Sequence, residues 1–221
     1  MKPKAFIFDL DGVITDTAEY HYRAWKTLAD EIGVAFDKTI NEQLKGVSRM
    51  VSLDIILKHG GKLTEYSDIQ KEALATKKNN LYKKLINEIT PADILPGIMK
   101  LLADLKSDMI FIGMASASKN AFTVVDHLGI RDMFDYIADA SLIHHSKPAP
   151  DVFLDVMNHF NLKPTDCIGV EDAAAGIKAI HAAGMISIGI GGEELSEASI
   201  RYKSTNELNC SEILELLEKM E

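Results

Sequence analysis

The chain has 221 residues, of which 47% are hydrophobic and 26% are charged, and its formal net charge is -9. This composition is that of an ordinary globular protein, and the length suits one large domain or a core domain with a smaller insert. The negative charge argues against a nucleic-acid surface, and no stretch approaches the roughly 20 apolar residues of a membrane span. We find no signal-peptide pattern, so we expect a cytoplasmic protein without nucleic-acid or membrane partners.

Short apolar runs alternate with helical patterns along most of the chain, which is typical of a parallel α/β sheet. Strands are predicted at 5–8, 109–115, 136–138, 167–170 and 186–190. Helices that pack on this sheet are predicted at 97–106, 121–128, 150–160, 173–183 and 211–219. We therefore predict an α/β fold whose core is a Rossmann-like parallel sheet.

The alternation of strands and helices stops between the first and the second predicted strand. Residues 18–87 carry almost entirely helical periodicity. We predict a small helical cap domain over residues 16–88, inserted into an α/β core domain made of residues 1–15 and 89–221. Such an insert would lie over the carboxyl ends of the strands, where open α/β sheets bind ligands, and could act as a lid.

Polar residues follow four of the predicted strands. Asp9 and Asp11 follow the first strand, and two carboxylates held that close repel unless a cation, a shared proton or a chemical purpose compensates. The other three groups are Ser116–Asn120 before a helix, Lys147 in a loop, and Glu171 with Asp172 before another helix. Because the ends of parallel strands share one edge of the sheet, we expect these four segments to converge on one site.

The residue types in this set indicate a particular chemistry. Carboxylate oxygens at this density suit magnesium, while hydroxyls and backbone N–H groups at a helix start suit a phosphate. A lysine adds a compact positive charge for the same anion. Taken singly, each residue could be a turn, a helix cap or a solvated charge, but their order at successive strand ends favours metal-assisted phosphoryl transfer.

The motifs Asp9-Leu-Asp11-Gly12, Ser116, Lys147-Pro148 and Glu171-Asp172 stand in the order found in the haloacid dehalogenase superfamily of phosphotransferases. The chain resembles this superfamily over nearly its whole length, and its helical insert is similar to the small helical cap of the superfamily. Three longer stretches, 8–21, 41–49 and 115–120, resemble a sugar-phosphate mutase branch of the superfamily.

This resemblance implies a role for each core residue. Asp9 would be the nucleophile that forms an aspartyl phosphate, and Asp11 would be the general acid and base. One magnesium ion would be held by Asp9, the carbonyl group of Asp11, Asp172 and, directly or through water, Glu171. Ser116 and Lys147 would bind the phosphoryl group during its transfer.

A mutase and a phosphatase share the core motifs, so only residues of the predicted cap can indicate which of the two activities the chain has. His21 lies on one face of the first predicted cap helix with Trp25, where a histidine packs by default, but it could reach Asp11 or a sugar hydroxyl. Lys78 lies on an apolar stripe and could either reach water or meet the substrate. Arg49 could grip a second phosphate with its planar fork. The candidate residues for binding the phosphate and substrate are Thr17, His21, Lys45, Gly46, Arg49, Lys78, Ser116, Ala117, Ser118, Lys119, Asn120 and Lys147.

The resemblance implies a monomeric, Mg²⁺-dependent mutase with a small phosphorylated sugar as its substrate. It would interconvert β-D-glucose 1-phosphate and glucose 6-phosphate, with β-glucose 1,6-bisphosphate as activator and intermediate. Three alternatives stay open: a sugar-phosphate phosphatase in which Asp11 activates water, a non-catalytic phosphosugar-binding protein, and a phosphonate-cleaving enzyme with a Schiff-base lysine. The presence of both Asp9 and Asp11 argues against the binding protein, which needs no nucleophile.

Overall fold

A computed structural model describes residues 2–219 and contains one parallel six-stranded sheet in the order β3-β2-β1-β4-β5-β6. The strands are β1 (Ala5–Phe8), β2 (Phe111–Met114), β3 (Tyr136–Ile137), β4 (Cys167–Glu171), β5 (Ile186–Ile190) and β6 (Ile200–Tyr202). The direction of strand order reverses beside β1, so the carboxyl ends of β1 and β4 flank the crevice in which such sheets bind ligands. The predicted parallel α/β fold is confirmed.

The helices are α1 (Ala18–Glu31), α2 (Lys38–Glu42), α3 (Arg49–His59), α4 (Asp68–Leu85), α5 (Ile98–Ser107), α6 (Ala121–His127), α7 (Asp151–His159), α8 (Ala174–Ala182) and α9 (Cys210–Lys219). Side-chain caps fix the start of three of the helices in the insert, and the carboxylate of Asp37 accepts the N–H of Ile40 at the start of α2. Ser48 accepts a hydrogen bond from the N–H of Val51 at the start of α3, and Ser67 forms a reciprocal capping box with Gln70 at the start of α4.

All five predicted strands and the five predicted helices outside the insert are present, and only their ends differ. The sequence prediction missed β6, which pairs with β5 through Ile188 and Ile200. This edge strand has only three residues and is partly exposed, so it carries neither a continuous apolar run nor a clear alternation.

The sheet is covered on both faces, which explains why β1 is apolar throughout. Phe6 and Phe8 pack into one hydrophobic cluster, whereas Ala5 and Ile7 pack into a second cluster on the opposite face. This alternation is the period of a strand, and it fixes the register of β1 between β2 and β4. The residue that follows β1 is thereby held at a fixed point of the sheet edge.

Helices α1–α4 lie between β1 and β2 in the chain and have a hydrophobic cluster of their own, which includes Trp25, Leu53 and Ile56. The two chain segments that connect the insert to the sheet lie side by side. The hydroxyl of Thr15 in the first segment donates to the carbonyl of Asp93 in the second at 2.8 Å. These features agree with a cap inserted on a double linker, although the domain bounds at 15–16 and 88–89 remain a prediction. None of the helices within residues 2–219 is both long and apolar enough to cross a membrane.

Candidate active site

A cavity of ≈ 720 Å³ lies between the carboxyl ends of the strands and the helical insert. Nearly all the predicted site residues line it, both those from the sheet edge and those from the insert. The predicted residues on its wall are Asp9, Asp11, His21, Lys45, Gly46, Arg49, Lys78, Ser116, Ala117, Ser118, Lys119, Asn120, Lys147 and Asp172. Thr17 and Glu171 do not line the cavity; both are fully buried directly behind its wall.

Lys147 joins the ends of two strands. Its Nζ donates to Oδ1 of Asp9 at 2.6 Å and also to Oε1 of Glu171, and its side chain is only 1% exposed. Burial alone would lower the pKa of Lys147, but the two carboxylates outweigh burial and raise this pKa above its ordinary value. Lys147 is therefore a fixed cation beside the predicted nucleophile.

The carboxylate of Glu171 has hydrogen bonds to both of its oxygens. Its Oε2 accepts the backbone N–H groups of Asp172 and Ala173, both at 2.9 Å, and its Oε1 accepts Lys147. Glu171 was predicted as a metal ligand, directly or through water. Because its oxygens are already engaged, this geometry favours a supporting role in which Glu171 positions Lys147 and the start of the turn before α8.

Oxygen atoms of Asp9, Glu171 and Asp172 lie within 4.8 Å of one another, which suits a hard divalent cation. Burial raises the pKa of Glu171 to about 7 and the pKa of Asp172 well above its ordinary value. Asp9 contributes to both shifts by repulsion. The repulsion makes these groups harder to ionise, and a divalent ion would relieve it. The donor set fits the predicted magnesium.

Two glycines have no side chain where two of these carboxyl groups lie, and any larger residue would overlap those groups. A Cβ atom on Gly176, in the first turn of α8, would overlap the carboxyl group of Glu171. A Cβ atom on Gly12 would overlap the carboxyl group of Asp172, and Gly12 also has a φ of +77°, which disfavours other residues. Gly12 stands in the first motif, but the importance of Gly176 was not predicted.

The carboxylate of Asp11 is held by a chain of hydroxyl groups. The hydroxyl of Tyr82 donates to Oγ1 of Thr17 at 3.1 Å, and the hydroxyl of Thr17 donates to Oδ1 of Asp11. Burial and the charge of Asp9 raise the pKa of Asp11 to about 7, so its side chain can carry a proton near neutral pH. Thr17 was predicted among the phosphate- and substrate-binding residues; it lies buried behind Asp11 and binds that carboxylate.

Buried Lys78 and half-buried His21 form a pair on the insert side of the cavity. Nζ of Lys78 lies 2.7 Å from Nδ1 of His21 and over the rings of Trp25 and Tyr82, at 4.6 and 4.8 Å from their centroids. Burial, followed by repulsion from Lys78 and Arg49, lowers the pKa of His21 well below its ordinary value. Burial and repulsion from Arg49 do the same to the pKa of Lys78, although the charge of Asp11 opposes this shift. Nε2 of His21 lies 3.9 Å from Oδ2 of Asp11. A side chain of the insert thus lies close to Asp11, the predicted general acid and base.

Hydroxyl groups shape the loop after β2. Oγ of Ser116 accepts the N–H of Ser118 at 3.1 Å, and Oγ of Ser118 accepts the N–H of Asn120 at 3.2 Å. These two turns fold the segment that we call the phosphate loop, Ser116–Asn120, so that all five of its residues face the cavity. Lys119 adds a positive charge to that wall.

Lys45 and Arg49 bring two more cations from the insert. Lys45 pairs with Glu42 at 2.9 Å, and the carboxylates of Glu42, Asp172 and Asp16 raise its pKa although burial opposes the shift. Arg49 is the first residue of α3, and partial burial lowers its pKa. The attraction between Lys45 and Asp172 crosses from the insert to the sheet edge, so it favours a closed cavity.

Sequence reasoning missed two residues of this region. Tyr82 lies four residues after Lys78 on α4, and this helical spacing could have placed it on the same face. Asn79 lines the cavity and accepts a hydrogen bond at 2.8 Å from the side chain of Asn120. Nothing in the local sequence distinguishes Asn79 from the exposed Asn80 beside it.

The fold and the residues at the edge of its sheet define a protein of the haloacid dehalogenase type. Residues 3–184 match the family described as haloacid dehalogenase-like hydrolase. The chain is 47% identical to β-phosphoglucomutase of Bacillus subtilis, over 97% of this chain and 93% of that protein. The chain belongs to the haloacid dehalogenase superfamily, and within it to the β-phosphoglucomutases, as the sequence motifs predicted.

Two further similar proteins have names that state different activities. A crystal structure of a β-phosphoglucomutase from Clostridium difficile has a TM-score of 0.97 and 52% identity, over 99% of this chain and 98% of that one. A fructose-1-phosphate phosphatase of Escherichia coli is 30% identical over 83% of this chain and 94% of its own length. The names of these relatives describe a mutase and a phosphatase, which are the two activities that the core motifs alone do not distinguish.

Proposed function

We propose that this chain is a magnesium-dependent β-phosphoglucomutase that interconverts β-D-glucose 1-phosphate and glucose 6-phosphate. The observation that carries the proposal is one cavity that is lined by Asp9 at the end of β1, Arg49 on the insert and Lys119 on the phosphate loop. A phosphoryl acceptor and a separate set of cations suit a substrate with phosphates at two positions. The high identity to β-phosphoglucomutases extends through the insert and supports the same reading.

Asp9, Asp172 and the carbonyl group of Asp11 would hold one Mg²⁺, with Glu171 supporting the site. The closely spaced, mutually repelling carboxylates fit this assignment. When bound, the ion supplies charge stabilisation for the transferring phosphoryl group. In the same region, the ammonium group of Lys147 and the hydroxyl of Ser116 would hold phosphoryl oxygens.

Asp9 would attack phosphorus, so that a bond forms from its carboxylate oxygen while the bond from phosphorus to the sugar oxygen breaks. Asp11 would give its proton to the departing sugar oxygen and later accept one from the incoming hydroxyl. A pKa of about 7 lets Asp11 act in both directions near neutral pH. Its bond from Thr17 would keep the other carboxylate oxygen, Oδ2, toward the cavity and His21.

Arg49 and residues 118–120 of the phosphate loop would hold the second phosphate, away from Asp9. The intermediate β-glucose 1,6-bisphosphate would then turn over within the cavity and present its phosphates to Asp9 alternately. Closure by the insert would exclude water, so that the phosphoryl group passes to sugar rather than to solvent. A monomeric state and a cytoplasmic location remain predictions.

The proposal is tested with purified protein, Mg²⁺, β-glucose 1-phosphate and a trace of β-glucose 1,6-bisphosphate. We expect glucose 6-phosphate to appear well ahead of free phosphate, and we expect a chelator to stop both products until Mg²⁺ is restored. Free phosphate without glucose 6-phosphate would instead support the phosphatase that the 30% identical relative suggests. Binding of the sugar phosphate without either product would support the non-catalytic alternative.

Gly176→Ala is expected to raise the Mg²⁺ concentration for half-maximal activity about tenfold or more, because supporting residues of metal sites have effects of this size. The added Cβ must displace the carboxyl group of Glu171, which positions Lys147 and the turn at Asp172. Ala174→Ser, at an exposed position in the same helical turn, is the matched control. An unchanged Mg²⁺ dependence in Gly176→Ala would contradict the supporting role of Glu171.

A further inference from the structure

A hydrogen bond between two asparagines links the insert to the phosphate loop. Nδ2 of Asn120 donates to Oδ1 of Asn79 at 2.8 Å, and the two residues are 41 positions apart in the chain. Asn79 lies on α4, on the insert side, whereas Asn120 is the last residue of the phosphate loop and the N-cap of α6. The bond therefore joins the two sides of the cavity and can exist only while the two sides are close together.

The pairing fixes the orientation of both side-chain amides. Asn120 is only 6% exposed and uses one N–H of its amide for Asn79, which leaves the second N–H beside the cavity. Asn79 acts as the acceptor in this pair, so both N–H groups of its own amide stay available. Across residues 2–219, no protein acceptor pairs with the amide nitrogen of Asn79. Asn79 and Asn120 line the same cavity as Arg49 and Lys119.

We propose that Asn79 is a positioning residue of the mutase reaction, which acts through Asn120 to couple closure of the insert to the geometry of the phosphate loop. This inference rests on the proposed function. When Asn79 holds Asn120, the loop is ordered for the second phosphate and the insert is held over the aspartyl phosphate at the same time. Loss of the bond both weakens the hold on the sugar phosphate and admits water.

The test is a double-mutant cycle with Asn79→Ala, Asn120→Ala and the variant with both changes. Initial rates of glucose 6-phosphate and free phosphate are measured for each, with thermal melting as the check on folding. We expect Asn79→Ala to lower kcat/KM of the mutase reaction about tenfold, the loss that one hydrogen bond gives. We also expect a larger share of free phosphate among the products, and a double variant no worse than Asn120→Ala alone.

Asn80→Ala is the matched control, because Asn80 is the adjacent asparagine on the same helix and is exposed. It should leave both product rates unchanged. Equal product ratios in Asn79→Ala and wild type, or effects of the two single changes that simply add, would overturn the inference. Failure of the wild-type protein to form glucose 6-phosphate would count against the proposed function instead, so the two failures are distinguishable.

Discussion

Asp9→Asn is expected to lower the rate of glucose 6-phosphate formation by at least about 10⁴-fold, because it replaces the anionic carboxylate nucleophile, on which both half-reactions depend, by a neutral amide. The asparagine has nearly the same shape, and its side-chain oxygen can still accept the hydrogen bond from Lys147. The phosphorylated form of the protein, which acid quenching and mass spectrometry detect in wild type during turnover, should be absent from the variant.

The same substitution should not destabilise the fold. The charge of Asp9 raises the pKa of Asp11, Glu171 and Asp172, so its removal relieves repulsion among buried carboxyl groups. Lys147 loses one carboxylate partner but keeps Glu171, so we expect the melting temperature without Mg²⁺ to change little. Asp132→Asn, at an exposed position, serves as the control for the chemical change itself. Turnover within tenfold of wild type in a correctly folded Asp9→Asn protein would refute the role of Asp9.

Lys147→Met is expected to lower the free energy of unfolding by about 3–5 kcal/mol without Mg²⁺, and to abolish turnover. Methionine keeps the packing volume beside Phe153, whose ring centroid lies 5.0 Å from the ammonium group. The variant loses the cation between Asp9 and Glu171, so two buried carboxylates lose their partner. Urea unfolding followed by circular dichroism, with a chelator present, measures the stability change.

Two further variants separate the charge effect from packing. Adding Glu171→Gln to Lys147→Met removes one of the orphaned charges, so it should recover part of the lost stability but none of the activity. Lys78→Met is the matched control, because Lys78 is also buried, at 3% exposure, but its partner is an imidazole. It should cost less than about 1 kcal/mol, since no carboxylate loses a partner. Equal losses for the two lysine variants would show that burial alone, and not the carboxylates, determines the cost.

Much of the fold could be predicted because the signals are local. A strand that is buried on both faces must be apolar, as β1 is, and a helix that packs on a sheet must repeat its apolar residues with the helical period. The order of Asp9, Ser116, Lys147 and Glu171 at successive strand ends was equally readable, because parallel strands bring their carboxyl ends to one edge. Strand β6 escaped prediction because three partly exposed residues carry no pattern.

The sequence by itself determined the parallel sheet, the helical insert, the residues that meet at the sheet edge and the family of the protein. Only the tertiary structure decided how those residues use their bonding groups. Packing within the core brings Lys147 to Glu171. The position of Thr17 behind Asp11 and the contact between Asn79 and Asn120 depend instead on how the insert packs on the sheet. Spacing along the chain fixes which helix face or strand end a side chain belongs to, but the partner across a cleft is set by long-range packing.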